Sequence, residues 1–103
     1  MSDQFEIALD ALSFEWDEPK RKSNIEKHDI DFVDAITIFA EAHVDVASKH
    51  SSEPRREATG KLGDRFITVV YTMRGDVTRV ISARIARRHD RERYRALHPR
   101  GDP

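Results

Sequence analysis

The feature that most constrains this chain is a pair of β-branched and aromatic runs, Arg65 to Met73 and Val77 to Ile85, separated only by Arg74, Gly75 and Asp76. Runs of this composition read as strands, and a short glycine-containing link between them reads as an antiparallel hairpin. A sheet therefore sits at the centre of the fold, and everything else must pair with it or cover it. In 103 residues there is room for one core, because domains average roughly 100 to 150 residues. We read residues 1–103 as a single domain, with 14–98 as its core and 1–13 as an N-terminal extension.

Before the hairpin, Phe14, Glu15, Trp16 and Asp17 alternate apolar and acidic, the period of a half-buried strand. Asp17, Glu18 and Pro19 then start a helix that runs to His28 with Ile25 as its one strongly apolar residue, so it lies mostly exposed. Asp31 caps a second helix, whose Phe32, Val33, Ile36, Phe39 and Ala40 recur at the spacing of one buried face. Val44 and Val46 indicate a further strand, and Arg55 to Lys61 another. After Ile85 the pattern turns helical, with Ile85, His89, Tyr94 and Leu97 on one side, until Pro99 and Gly101 end it. The sum is an α+β domain, an antiparallel sheet of three to five strands with two N-terminal helices and a C-terminal helix. With the helices on one face, the other face is left free to hold something.

Charge separates along the chain. Residues 1–50 carry 5 Lys+Arg against 12 Asp+Glu, whereas residues 74–103 carry 9 arginines against 4 acids. Every basic residue after Lys61 is an arginine. Arginine grips phosphate or carboxylate with a planar fork, so this bias suits specific anion contacts, although a salt-bridged helix face would look the same. In strand Val77 to Ile85 the alternation puts Thr78, Val80, Ser82 and Arg84 on one face, with Arg84 where the strand meets the basic helix. The polar segment Lys49 to Arg55 gathers two bases, an imidazole and a carboxylate, as an ordinary surface loop or as part of a site.

Several classes drop out. No apolar run approaches the ~20 residues of a membrane helix, and the acidic start lacks the basic onset of a secretory signal, so a cytoplasmic protein that meets no membrane is expected. There are no cysteines, hence no disulfide, thiolate or Cys-type zinc chemistry. His28, His43, His50, His89 and His98 show no helical metal-ligand spacing, and neither a metal nor a cofactor is expected. Metal-free RNA scission remains compatible with this inventory, because the RNA supplies its own 2'-oxygen nucleophile and the protein need supply only positioning, cations and proton transfer.

The run Phe14 to Lys20, then Asn24, Lys27-His28, Phe32, Ala35 and Phe39, resembles the BrnT family of type II toxins. The resemblance continues through His50-Ser51, Glu53 and Arg55, Gly60, Thr72 to Asp76, Ile81 to Arg84, Ala86 and Tyr94. It implies a RelE-like fold, metal-independent endoribonuclease activity that halts growth, and neutralisation by a BrnA-like antitoxin in a hetero-oligomer. It also implies that the antitoxin carries the DNA-binding domain, so the toxin meets DNA only indirectly as the complex represses its own operon. Matched residue by residue, Arg55 and Arg84 fall to phosphate and transition-state contacts, and His50 and Glu53 to proton transfer and orientation. Lys49, Arg56, Arg87, Arg88 and Arg91 supply further RNA contacts in the same reading. The chain departs from the family pattern at Asp29, where glycine is common, at Arg87, where threonine is common, and at Asp90, where glutamate is usual.

A second reading makes the arginine-rich C-terminal face a non-catalytic module that binds nucleic acid or an acidic partner. A third, DNA recognition by the closing helix, lacks a helix-turn-helix partner.

Overall fold

The computed structural model describes residues 4–9, 12–49 and 54–99. In chain order they form strands β1 (Gln4–Leu9) and β2 (Leu12–Asp17), helix α1 (Glu18–His28), and a helical turn α2 (Phe32–Ala35) continued as a 3-10 helix (Ile36–Ala40). Strands β3 (His43–Ala47), β4 (Arg56–Leu62), β5 (Arg65–Arg74) and β6 (Val77–Ile85) follow, then helix α3 (Arg88–Leu97). One sheet holds all six strands in the order β1-β2-β6-β5-β4-β3. The hairpin stands as expected, with Arg74 opposite Val77. Gly75 opens its turn at φ 61, a conformation that glycine adopts without steric cost.

The sheet is larger than the sequence reading, and mixed. Strand β2 lies parallel to β6, with Phe14 opposite Thr78, because the two helical segments carry the chain back before β6 is laid down. Residues 4–9, read as an extension, pair antiparallel with β2 from Gln4 opposite Asp17 to Leu9 opposite Leu12.

One face of the sheet packs against α1, α2 and the 3-10 helix, and Trp16, Phe14, Phe32, Ile38, Ile67 and Val69 are fully buried there. Phe32 meets Trp16 edge-on at 5.9 Å, and Phe39 meets Phe14 and Tyr71 at 5.4 and 5.2 Å. The second helix departs from the expected face. Asp31 caps it, accepting from the Val33 N–H at 3.0 Å; Phe32 and Ile36 are buried and Phe39 packs on the core as expected, but Ala35 and Ile38 are buried too, while Ala40 is exposed and Val33 is 43% exposed. Tightening to three residues per turn brings Ile38 into line with Phe32 and Ala35 and so widens the buried side beyond the positions that a 3.6-residue period selects.

Strand β6 corrects a second expectation. An irregularity between Val70 and Tyr71 pairs them with Ser82 and Val80, so Ile81 is an extra residue. Beyond it the alternation inverts. Val80 and Ala83 both face the core, and Ser82 and Arg84 point to the opposite face rather than sharing one with Thr78 and Val80. That opposite face is not free either, since α3 lies across it. The side of α3 expected to be buried is also revised. Ile85 and Leu97 are 49% and 59% exposed, and Asp90 and Tyr94 are the buried pair. Tyr94 packs edge-on against Phe66 at 5.0 Å.

Helix α1 is tied to the sheet by a polar group. The buried Asn24 carboxamide donates to the carbonyls of Ala83 and Ile30, each at 2.9 Å, and accepts the Ala83 N–H at 3.1 Å. Arg21 grips Asp31 with Nε and Nη2 at 2.8 and 2.9 Å and also pairs with Glu18. The Arg21 hydrogen bonds hold the Asp31 carboxyl below its usual range against the opposing effect of burial.

Two stability predictions follow from these contacts. Asn24→Ala strands three buried backbone groups and should cost about 2–4 kcal/mol in denaturant unfolding. Asp29 ends α1 at φ 56, with its N–H bonded to the Ile25 carbonyl, so Asp29→Gly should raise stability by about 0.5–1 kcal/mol.

Candidate functional site

The face that carries α3 is built from strand registers. Thr59 on β4 lies opposite Thr68 on β5, and Thr68 lies opposite Arg84 on β6, so the three form one row across the sheet. The Thr68 hydroxyl donates to Asp90 Oδ2 at 3.2 Å, which leaves Thr59 as donor in the 2.7 Å bond between the two threonines. Asp90 has no solvent access. Its Oδ2 also accepts from Arg84 Nη1 at 2.8 Å and from the Arg87 N–H at 2.9 Å, while Oδ1 accepts from Arg93 Nη2 at 2.8 Å. His89 Nε2 stands 3.5 Å from Oδ1.

A carboxylate buried in this way would ordinarily be pushed towards its neutral form. Burial does raise the Asp90 pKa, but the bonds from Arg84 and the Arg87 N–H, the Arg84 charge and the Thr68 hydroxyl outweigh it and hold the group below its ordinary range. Arg84 is correspondingly fixed, its side chain 14% exposed. With one edge on Asp90, its Nη2 reaches Glu57 Oε1 at 3.3 Å.

Arg84 opens into a groove of about 270 Å³ shared with Ser48, Arg55, Glu57, Val70, Ser82 and Arg87. Three guanidiniums around one groove, that of Arg84 on β6 immobilised through a buried carboxylate, can hold a phosphate and stabilise charge that builds on it. Among the described residues no three His, Asp or Glu side chains gather as metal ligands. Nor is any described helix long and apolar enough to cross a membrane.

The structure brings some of the sequence-derived residues together and separates others. Arg55, Arg84 and Arg87 meet in this groove, and Lys49 lines the next one. Arg56 lies on the opposite face, where its Nε bonds Asp45 at 2.5 Å beside the Tyr71 hydroxyl, which donates to the same carboxylate. Arg88 pairs with Glu92 on the exposed side of α3 at 3.3 Å, and Arg91 is turned onto the Ala86 carbonyl at 2.8 Å. His50 and Glu53 lie outside the described residues. Sequence reasoning missed Glu57 and Arg93, and noted Asp90 only as a departure from the family pattern, without a place in the site. Asp90 stands three positions after Arg87, the helix N-cap. That is the acidic position of a capping box, obscured because an arginine occupies the cap.

Asp90→Asn should destabilise the fold by about 3 kcal/mol, since it leaves buried arginines without their counter-charge. Because the folded pKa is depressed, the stability that Asp90 contributes is complete above the ordinary carboxylate value of about 3.9 and is lost as the pH falls through the folded value. Urea midpoints measured from pH 7 to pH 2 should therefore fall less steeply at the acid end for Asp90→Asn than for the native chain.

No curated protein sequence matches the chain. A family model described as the ribonuclease toxin, BrnT, of type II toxin-antitoxin systems matches residues 16–90. The crystal structure of the Brucella abortus ribonuclease toxin, BrnT, is similar at 36% identity and a TM-score of 0.60, covering 71% of this chain and 94% of that one. The matched span contains the Asn24 clamp, the groove and Asp90, and so the chain belongs to the BrnT family of ribonuclease toxins of type II toxin-antitoxin systems, with RNA as target and an antitoxin as partner.

Proposed function

We propose that this toxin, with a RelE-like arrangement, cleaves RNA without a metal ion. The ribose 2'-oxygen attacks the adjacent phosphorus, the bond to the 5'-oxygen breaks, and a 2',3'-cyclic phosphate is left. The observation that carries the reading is Arg84, pinned at 2.8 Å to a carboxylate with no solvent access and turned towards the groove that Arg55 and Arg87 share. A guanidinium whose position is fixed before substrate arrives stabilises the phosphorane charge without reorganising, which is the largest contribution a protein makes to such a reaction. In this reading Arg55 and Arg84 clamp the phosphate, Arg87 adds charge at the rim, His50 moves the proton and Glu53 orients an arginine. Growth stops as RNA is cut. A BrnA-like antitoxin covers the basic face, and the pair represses its own operon through the antitoxin's DNA-binding domain.

The test is to incubate the antitoxin-free chain with a defined RNA in EDTA and to map the ends. Cleavage should persist and leave 2',3'-cyclic phosphates. Arg84→Ala should lower kcat/KM by about 10²- to 10³-fold, and Arg84→Lys should recover little of it, because an ammonium cannot bridge Asp90 and a phosphate with a planar fork. Activity lost in EDTA and restored by magnesium would remove the metal-free mechanism. Binding that survives Arg84→Lys and falls with salt, without cleavage or growth arrest, would leave a binding module.

A further inference from the structure

A second groove of about 390 Å³ adjoins the first, lined by Val46, Ala47, Lys49, Glu57, His89 and Arg93. Glu57 lines both, so the two form neighbouring compartments along one surface. Their chemistry differs. The first is lined by three guanidiniums and Glu57, with Arg84 also held by buried Asp90. In the second, the Arg93 guanidinium is already engaged by buried Asp90 at 2.8 Å, Lys49 and Glu57 bring one charge of each sign, and Val46 and Ala47 supply apolar surface. A slot with apolar lining, hydrogen-bond donors and a carboxylate, and with fewer guanidiniums than its neighbour, suits a planar heterocycle better than a second phosphate.

We propose that this groove is a base-recognition subsite, that it takes the base of the nucleotide next to the phosphate held at Arg84, and that guanine is the base it prefers. The inference rests on the ribonuclease reading and adds a sequence preference to it. Glu57 supplies the argument. Its Oε1 faces Arg84 at 3.3 Å, while Oε2 accepts no hydrogen bond among the described residues. An ionised carboxylate only accepts, so it selects a base edge that donates. Lys49 and Arg93 only donate, so they select acceptors. Guanine alone places two adjacent donors, N1–H and the N2 amine, beside two acceptors, O6 and N7. Adenine and cytosine offer one amine each, and uracil a single imino N–H. The imidazole of His89, 57% exposed on the first turn of α3, provides a ring face for stacking.

The experiment sequences the cut ends of a random-sequence RNA for the native chain, Glu57→Gln and Lys49→Ala. In parallel it measures binding of four uncleavable 2'-O-methyl tetranucleotides that differ in one base. Guanine should be enriched about tenfold at one fixed position beside the cut, the discrimination expected of one good base contact. Glu57→Gln should reduce the enrichment to under about threefold, because a carboxamide offers a donor where the base also donates. Lys49→Ala, at an exposed position, should reduce it by a smaller factor, and it decides the matter if circular dichroism shows Glu57→Gln unfolded. Cleavage without guanine enrichment, or with enrichment that neither substitution alters, overturns the subsite and leaves the ribonuclease reading standing. Absent cleavage, a guanine preference in binding that Glu57→Gln removes supports the subsite while the ribonuclease reading falls. Neither cleavage nor preference overturns both.

Discussion

A carboxylate sealed from solvent organises the half of this protein that carries the arginine groove. Burying the Asp90 charge alone would cost several kcal/mol, and the fold tolerates it only because Arg84, Arg93, the Arg87 N–H and the Thr68 hydroxyl all donate to it. These donors come from β5, β6, the entry to α3 and α3 itself, so one side chain sets the position of the helix on the sheet. Helix α3 has little else to dock with. Tyr94 against Phe66 is its principal apolar contact with the strands, and the rest of its sequence is dominated by arginine. The same arrangement denies Arg84 any rotameric freedom, and that fixity is what a group meeting transient charge requires.

Much of the architecture was legible because it depends on local chemistry. Gly75 marks the hairpin, Pro19 and Glu18 mark the start of α1, and Asp31 caps the helical turn, and each has its effect within a few residues. What was not legible depends on departures from regular periods. The extra residue Ile81 inverts the alternation of β6, and the 3-10 segment buries Ile38 beside the expected Ile36. The parallel pairing of β2 with β6 is a long-range choice that no local pattern encodes. The candidate site divides along the same line. Residue type and chain position singled out Arg55 and Arg84, and the family resemblance gave them their roles, whereas Asp90 and Glu57 matter only because strand register and helix docking bring them to Arg84. The separation of Arg55 from Arg56 could have been anticipated, since neighbours about to enter a strand point to opposite faces.

Asp29, Arg87 and Asp90, which the sequence reading sets apart from the family pattern, have physical consequences. Asp29 occupies a left-handed conformation that suits glycine, and α1 is terminated at a small cost. Arg87 sits at the N-cap of α3, where a threonine hydroxyl could accept a backbone N–H and a guanidinium cannot. Asp90 therefore performs the reciprocal half of the capping arrangement alone, while the Arg87 side chain lines the groove. Cap stability is exchanged for positive charge at the place where an anion would enter.

The Asn24 clamp bears on a sheet edge that the strands leave open. Strand β2 pairs with β6 over only Ser13 to Glu15 opposite Val77 to Arg79, after which the chain turns away into α1 and would leave the outer backbone of β6 open. Asn24 presents one donor group and one acceptor to Ala83, the pairing that a neighbouring strand would supply. A lone side chain thus acts as a surrogate strand and closes a gap at which another chain could dock and seed aggregation. Ala83 immediately precedes Arg84, so the residue that hides this edge in the acidic N-terminal half also steadies the backbone that carries the basic site.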